Sequence, residues 1–86
     1  MIYGIKMKPA ALRELKRLPE DVRRRITIRI ASLADNPWPQ GVEKIQGEED
    51  TYRLRIGDYR VLYQVYRKDL IVLVVRVRHR REVYRT

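Results

Sequence analysis

The sequence contains no cysteine, which excludes both a disulfide framework and a thiolate-held zinc. It has one histidine, His79, and so argues against a transition-metal site built from protein ligands; no metal and no other cofactor is expected. Long apolar runs are missing too. The longest, Leu70–Val75, falls far short of the ~20 residues that cross a bilayer. The opening Met1-Ile-Tyr-Gly-Ile-Lys lacks a charged region followed by an apolar stretch, so no signal peptide is expected. At 86 residues the expectation is one domain, residues 1–86, on a prior of roughly 100–200 residues per domain. A chain of this size buries only about 60% of its unfolded surface. A modest single core in a cytoplasmic protein is the reading.

Acidic residues are also scarce. Eleven Asp and Glu stand against twenty Lys and Arg, for a net charge of +9. Fifteen of the twenty cations are arginine. Residues 1–50 hold ten basic and eight acidic residues, whereas residues 51–86 hold ten basic and three acidic. The second part therefore carries +7 of the +9. Such a field in so small a domain is the footprint of a polyanion binder, with nucleic acid the default partner.

Periodicity supplies the elements. Tyr3–Met7 reads as an opening strand. Pro9 suits the first position of a helix, where its missing N–H is an orphan anyway. Leu12, Leu15 and Leu18 then form a one-sided stripe among Arg13, Glu14, Lys16 and Arg17. Pro19 ends that helix and opens the next, with Glu20 and Asp21 in the first turn where carboxylates suit the macrodipole. Val22, Ile26, Ile30 and Leu33 recur at helical spacing until Asp35-Asn36-Pro37. Two helices so closely joined make a helical hairpin. Residues 36–50 read as a loop.

After residue 50 the period becomes two. Tyr52, Leu54 and Ile56 share one face of a strand and Arg53 and Arg55 the other. Gly57-Asp58 signals a tight hairpin. Tyr59–Tyr66 is the partner strand, Arg67-Lys68-Asp69 a second turn, and Leu70–Val77 a central strand apolar on both faces. The expected fold is α+β: an N-terminal strand and a two-helix hairpin packed on a three-stranded antiparallel meander.

Arg53 and Arg55 lie about 7 Å apart on one strand face, and Arg60 opens the adjacent strand. Guanidinium groups so placed suit bidentate contact with phosphates. Tyrosines 52, 59, 63 and 66 offer stacking surfaces for bases, although at period two most are expected as packing residues. The segment from Arg78 to Arg85 holds His79 and Tyr84 among four arginines. Cleaving RNA through its own 2′-hydroxyl needs a base for that hydroxyl, an acid for the departing 5′-oxygen and cations at phosphorus. Neighbouring positive charge favours a phenolate, and an imidazole is a better proton donor than a guanidinium. From the residues alone, an acid–base site and an exposed basic tail with an incidental histidine both stand open.

Several of these pieces, taken in order, resemble the RelE/ParE toxin superfamily, and within it the RelE branch of ribosome-dependent mRNA interferases. They are the Leu18-Pro19 junction, Ile45-Gln46-Gly47, the run from Tyr52 to Tyr63 across the hairpin, and His79-Arg-Arg-Glu-Val-Tyr84. The resemblance implies a fold like the microbial ribonucleases and metal-free cleavage of mRNA in the ribosomal A site. It also implies a cognate RelB-like antitoxin that covers the basic surface. By residue, it implies that Arg53 and Arg55 hold the RNA backbone and stabilise the transition state, at positions where lysine is frequent. Arg60 would grip the scissile phosphate and Tyr84 would act as base. The C-terminal segment is shorter than in some members, so the acid falls to His79, Arg78 or Arg80; His79 is preferred, with Arg81 on the phosphate. ParE-type relatives share the fold but poison DNA gyrase, and a non-catalytic member binding only antitoxin or RNA is the remaining alternative.

Overall fold

The computed structural model describes residues 2–83. Strand β1 (Gly4–Met7) leads into helix α1 (Pro9–Lys16), and helix α2 (Glu20–Ser32) follows after Pro19. Strand β2 (Glu43–Lys44) precedes β3 (Thr51–Ile56), β4 (Tyr59–Tyr66) and β5 (Ile71–His79), and a short helix α3 (Arg80–Val83) closes the order. The five strands form one sheet in the order β1-β5-β4-β3-β2. The expected antiparallel meander is therefore its centre. At one edge β1 runs parallel to β5, pairing Gly4 with Ile71 and Met7 with Val74. At the other, β2 arises inside the segment expected to be loop, because Glu43 and Lys44 pair with Arg53 and Tyr52.

Proline at the first position starts α1. Its Ala11 and Leu15, with Ile26, Ile30 and Leu33 of the second helical segment, are buried against one sheet face. That face is built by alternation: Tyr52, Leu54 and Ile56 of β3, then Val61, Tyr63 and Val65 of β4, then Val72, Val74 and Val77 of β5. Its end nearest the β4–β5 turn is aromatic. Tyr3, Trp38 and Tyr52 meet edge to face at 6.0 and 6.5 Å between centroids, and Tyr63 lies 5.8 Å from Tyr52. The Tyr63 hydroxyl donates to the Pro37 carbonyl at 2.6 Å. Burial, reinforced by Tyr52, pushes that hydroxyl far above the ordinary tyrosine range. Tyr63 is thus a packing residue that stays neutral at any working pH.

Strand β5 departs from simple alternation. Val74 pairs with Tyr63 but Arg76 pairs with Leu62, so Val75 is an extra residue at a bulge. The bulge shifts the parity: Arg76 and Arg78 lie on the face away from the helices, and Val77 stays in the core. Ile71, Leu73 and Val75 are half-buried, so the strand expected to be covered on both faces is fully packed on one.

Beyond Val74, β5 loses β1 as a partner, and a side chain takes over. Glu14 of α1 accepts the Val77 N–H at 2.9 Å. Its other oxygen accepts Arg76 Nε at 3.2 Å and Arg78 Nε at 3.3 Å. Glu14→Ala leaves a backbone donor and two guanidinium groups without this acceptor and is expected to cost about 1–3 kcal/mol. Glu14→Gln, which keeps an oxygen for Val77, should lose less. Urea denaturation measures both, and an unchanged midpoint for Glu14→Ala would remove this role for the carboxylate.

Candidate functional site

The β3–β4 turn brings the basic residues together. Gly57 takes the first position of the two-residue turn at φ +59°, the backbone such a hairpin asks of glycine. Ile56 then pairs with Tyr59, which sets Arg55 directly across from Arg60. Arg60 in turn faces Arg78 on β5. Three arginines therefore form one row across three strands, where like charges directly opposite one another are destabilising.

β5 ends at His79 and the chain turns into α3, carrying Arg80 and Arg81 over the end of the sheet. The Arg80 N–H donates to the Asp58 carbonyl at 2.7 Å, tying this corner to the hairpin turn. A recess of about 420 Å³ results, lined by Arg55, Gly57, Arg60, Arg80 and Arg81. No carboxylate of the described residues lines it. The acid of the turn, Asp58, lies 4.0 Å from Arg80 Nε and is itself well exposed.

Arg60 is only 5% exposed. Among the described residues its side chain makes one weak hydrogen bond, Nη1 donating to the Tyr59 carbonyl at 3.4 Å. A buried guanidinium without a counter-ion is costly, and its neighbours here add charge of the same sign. Two unit charges about 5 Å apart repel by roughly 3 kcal/mol at an effective dielectric of about 20. The arrangement is relieved by an anion. A phosphate matches it in charge and in the bidentate geometry that guanidinium groups offer.

The other residues singled out from the sequence fall around this recess. Arg53 shares the face of Arg55 but lies towards β2, where Nη2 reaches Glu43 at 3.5 Å and Nε is buried without a partner among the described residues. Arg78, despite its register with Arg60, is drawn to Glu14 and does not line the recess. His79 follows Val77 on the helix side of the sheet, edge-on to Tyr59 at 5.3 Å. Its Nδ1 accepts the Arg81 N–H at 3.3 Å, which assigns the neutral ring's proton to Nε2. Tyr84 lies outside the described residues. Among the tyrosines expected to stack or pack, Tyr52 and Tyr63 are buried and Tyr66 is exposed.

Two participants escape sequence reasoning. Gly57 announces a turn in the sequence but also floors the recess. Glu14 passes for one charge on a basic helix, although its isolation among Arg13, Lys16 and Arg17 is a visible signal. Among the described residues no three His, Cys, Asp or Glu side chains are grouped to hold a metal ion, and no helix is long and apolar enough to cross a membrane.

Comparison with known proteins gives a consistent result. Residues 5–84 match the family described as the ParE toxin of type II toxin–antitoxin system, parDE. The chain is 32% identical over 88 residues to the mRNA interferase toxin RelE of Escherichia coli, covering 98% of this chain and 92% of that one. It is 28% identical over 86 residues to toxin RelG of Mycobacterium tuberculosis, covering 99% of each. Among solved structures, the archaeal RelE–RelB complex from Pyrococcus horikoshii gives a TM-score of 0.83 at 32% identity, covering 100% of both chains. The intact E. coli RelBE toxin–antitoxin complex gives 0.80 at 25% identity, covering 90% of this chain and 95% of the other.

Arg60→Met keeps an unbranched stem and removes the buried charge. The variant is expected to be more stable than wild type in chloride buffer, because an unpaired buried cation is gone. Added phosphate is expected to raise the melting temperature of wild type, and the variant should lose that rise. A variant that is destabilised in chloride, or still responds to phosphate, would show that Arg60 is not the anion-binding floor of the recess.

Proposed function

Since the chain belongs to the RelE/ParE superfamily of toxins from type II toxin–antitoxin systems, we propose that it is a ribosome-dependent endoribonuclease that cuts mRNA in the ribosomal A site. The observation that carries this reading is the acid-free recess with Arg60 buried at its centre. In the proposed reaction the ribose 2′-oxygen forms a bond to the adjacent phosphorus while the bond to the 5′-oxygen breaks. The products are a 2′,3′-cyclic phosphate and a 5′-hydroxyl end. Negative charge builds on the non-bridging oxygens, where Arg60 and Arg55 act as electrostatic stabilisers. Arg81 and Arg80 hold the phosphate from the α3 side and Arg53 holds the backbone one step along the sheet.

Tyr84 is proposed as the base that takes the 2′-hydroxyl proton, on the family resemblance. The proton for the 5′-oxygen comes from His79, Arg78 or Arg80, with Arg81 on the phosphate. The recess supports Arg80 in that role, since His79 stands on the other side of the sheet and Arg78 is drawn to Glu14. Dependence on the ribosome follows from this chemistry: guanidinium groups are weak acids, so part of the rate enhancement must come from a substrate already held in position. The E. coli and Pyrococcus relatives were solved as complexes with RelB. A RelB-like antitoxin of this chain is proposed to cover the same basic surface.

The test is purified protein incubated with translating ribosomes, with mRNA ends mapped and free mRNA run beside it. Cleavage is expected on ribosomes alone. Tyr84→Phe should slow single-turnover cleavage by roughly 10²–10⁴-fold while leaving folding and ribosome binding intact. Arg60→Ala should damage both binding and rate. His79→Gln should slow cleavage if the imidazole donates the proton and leave it nearly unchanged if an arginine does. Rapid cutting of naked mRNA, or full activity in Tyr84→Phe, would overturn this mechanism. A second reading, poisoning of DNA gyrase, is favoured by the match to the ParE family; gyrase arrest without any RNA cleavage would select it.

A further inference from the structure

The arginines of the described residues divide into two sets. Arg24 pairs with Glu20 at 3.1 Å, Arg53 with Glu43, Arg67 with Asp50, Arg76 and Arg78 with Glu14, and Arg80 reaches Asp58. Arg55, Arg60 and Arg81 of the recess have no carboxylate partner among the described residues, and neither do Arg13, Arg17, Arg23, Arg25 and Arg29 of the helical hairpin; of these five, Arg25 and Arg29 are the two placed beside the recess and its neighbouring depression. We propose that Arg25 and Arg29 form a second contact for an RNA backbone, continuous with the recess, which holds the strand beyond the step that is cut.

The continuity is geometric. A methyl group placed on Gly57 would sit 3.5 Å from Arg25 Nη1, so this guanidinium lies against the turn that floors the recess. Arg29 is the i+4 neighbour of Arg25, on the same helix face and about 6 Å further along the axis. Arg29 and Arg55 together line a second depression of about 540 Å³ with Gln40, Gly41, Glu43 and Leu54. Arg55 thus belongs to both depressions and joins them. The band runs from the recess, round the turn and onto the helix layer. The carboxylates along it have arginine partners: Glu43 is engaged by Arg53 at 3.5 Å and Asp58, at the turn, lies 4.0 Å from Arg80.

A row of guanidinium groups whose carboxylate neighbours already have arginine partners suits a polymer with a charge on every unit. A protein segment would need acidic side chains at each of these places, and a single small anion would occupy the recess alone. This inference rests on the functional reading for its substrate class, RNA. The RNA concerned is the strand being cut; the folded RNA of the ribosome presents the same phosphodiester backbone, and two probes separate them.

The test compares wild type, Arg25→Gln/Arg29→Gln and Lys68→Gln, the last removing a charge at the β4–β5 turn, the opposite end of the strands. Binding is measured against salt with two probes, a fully 2′-O-methylated single-stranded RNA that cannot be cut and ribosomes without mRNA. Thermal melting checks that each variant is folded. Neutralising two phosphate contacts should flatten the slope of log affinity against log salt by about 1.4 on single-stranded RNA, while Lys68→Gln leaves it unchanged. A change with the oligonucleotide supports the contact with the cut strand, and a change with ribosomes alone would overturn it in favour of ribosomal RNA. On programmed ribosomes the double variant should need more protein for half-maximal cleavage, at an unchanged single-turnover rate when saturated. Unchanged salt slopes on both probes would overturn the inference, and weakened binding confined to the antitoxin would replace the RNA with a protein partner. If wild type cleaves nothing but the slopes still differ, the catalytic reading fails and this contact stands.

Discussion

Where β1 ends at Met7, strand β5 still runs on to His79, and its edge is completed by a carboxylate in place of a strand. The Lys8 N–H closes the last rung on the Val74 carbonyl at 2.9 Å. The chain then turns at Pro9 into α1, which brings Glu14 level with Val77. Much of the basic surface depends on this one side chain. It turns Arg76 and Arg78 to the sheet edge. Arg78 would otherwise stand beside Arg60, its register partner, and add another cation to a row already under repulsion. Holding it at the edge leaves the recess to Arg55, Arg60, Arg80 and Arg81.

The two ends of the sheet divide stability and charge between them. Near the β4–β5 turn, Tyr3, Trp38, Tyr52 and Tyr63 pack together, Arg67 stacks over Trp38 at 4.9 Å and its charge is met by Asp50. Near the β3–β4 turn Arg80 reaches Asp58, while Arg55, Arg60 and Arg81 have no carboxylate partner among the described residues. Concentrating the repulsion at one end, away from the aromatic cluster, lets a domain with one small core tolerate it. That is the usual distribution when a binding site is less stable than its scaffold requires.

What can be read in the sequence follows from period and turn chemistry. The alternation in residues 52–66 and the Gly57-Asp58 turn are enough to build the hairpin, and with it the approach of Arg60 to Arg55, although Arg53, expected beside them, pairs with Leu62 and lies towards β2. The same reasoning fails on β5 because its apolar run satisfies either parity, so nothing in it marks Val75 as the bulge that sends Arg76 and Arg78 to the open face. β2 is only Glu43–Lys44, too short to show a period. Parallel pairing of β1 with β5 is a long-range choice that neither segment states. In the C-terminal cluster, His79, Arg80 and Arg81 suggest one group because they are adjacent in sequence. The strand ends at His79 and a helix starts at Arg80, which divides the imidazole from the guanidinium groups.

That division bears on the chemistry. A site made of guanidinium groups is strong in stabilising negative charge and weak in moving protons, since arginine keeps its proton at any physiological pH. Proton transfer must then come from few groups, and the remaining rate enhancement from charge and position. A chain of 86 residues has too little surface to enclose an RNA strand and too small a core to carry long enclosing loops. It can, however, present a shallow, highly charged corner to a strand held by something larger. On the proposed reading the ribosome supplies the position and the toxin supplies the charge. The recess is then open because its substrate arrives already constrained, and it is left unneutralised because any internal counter-ion would have to be displaced before the phosphate could enter.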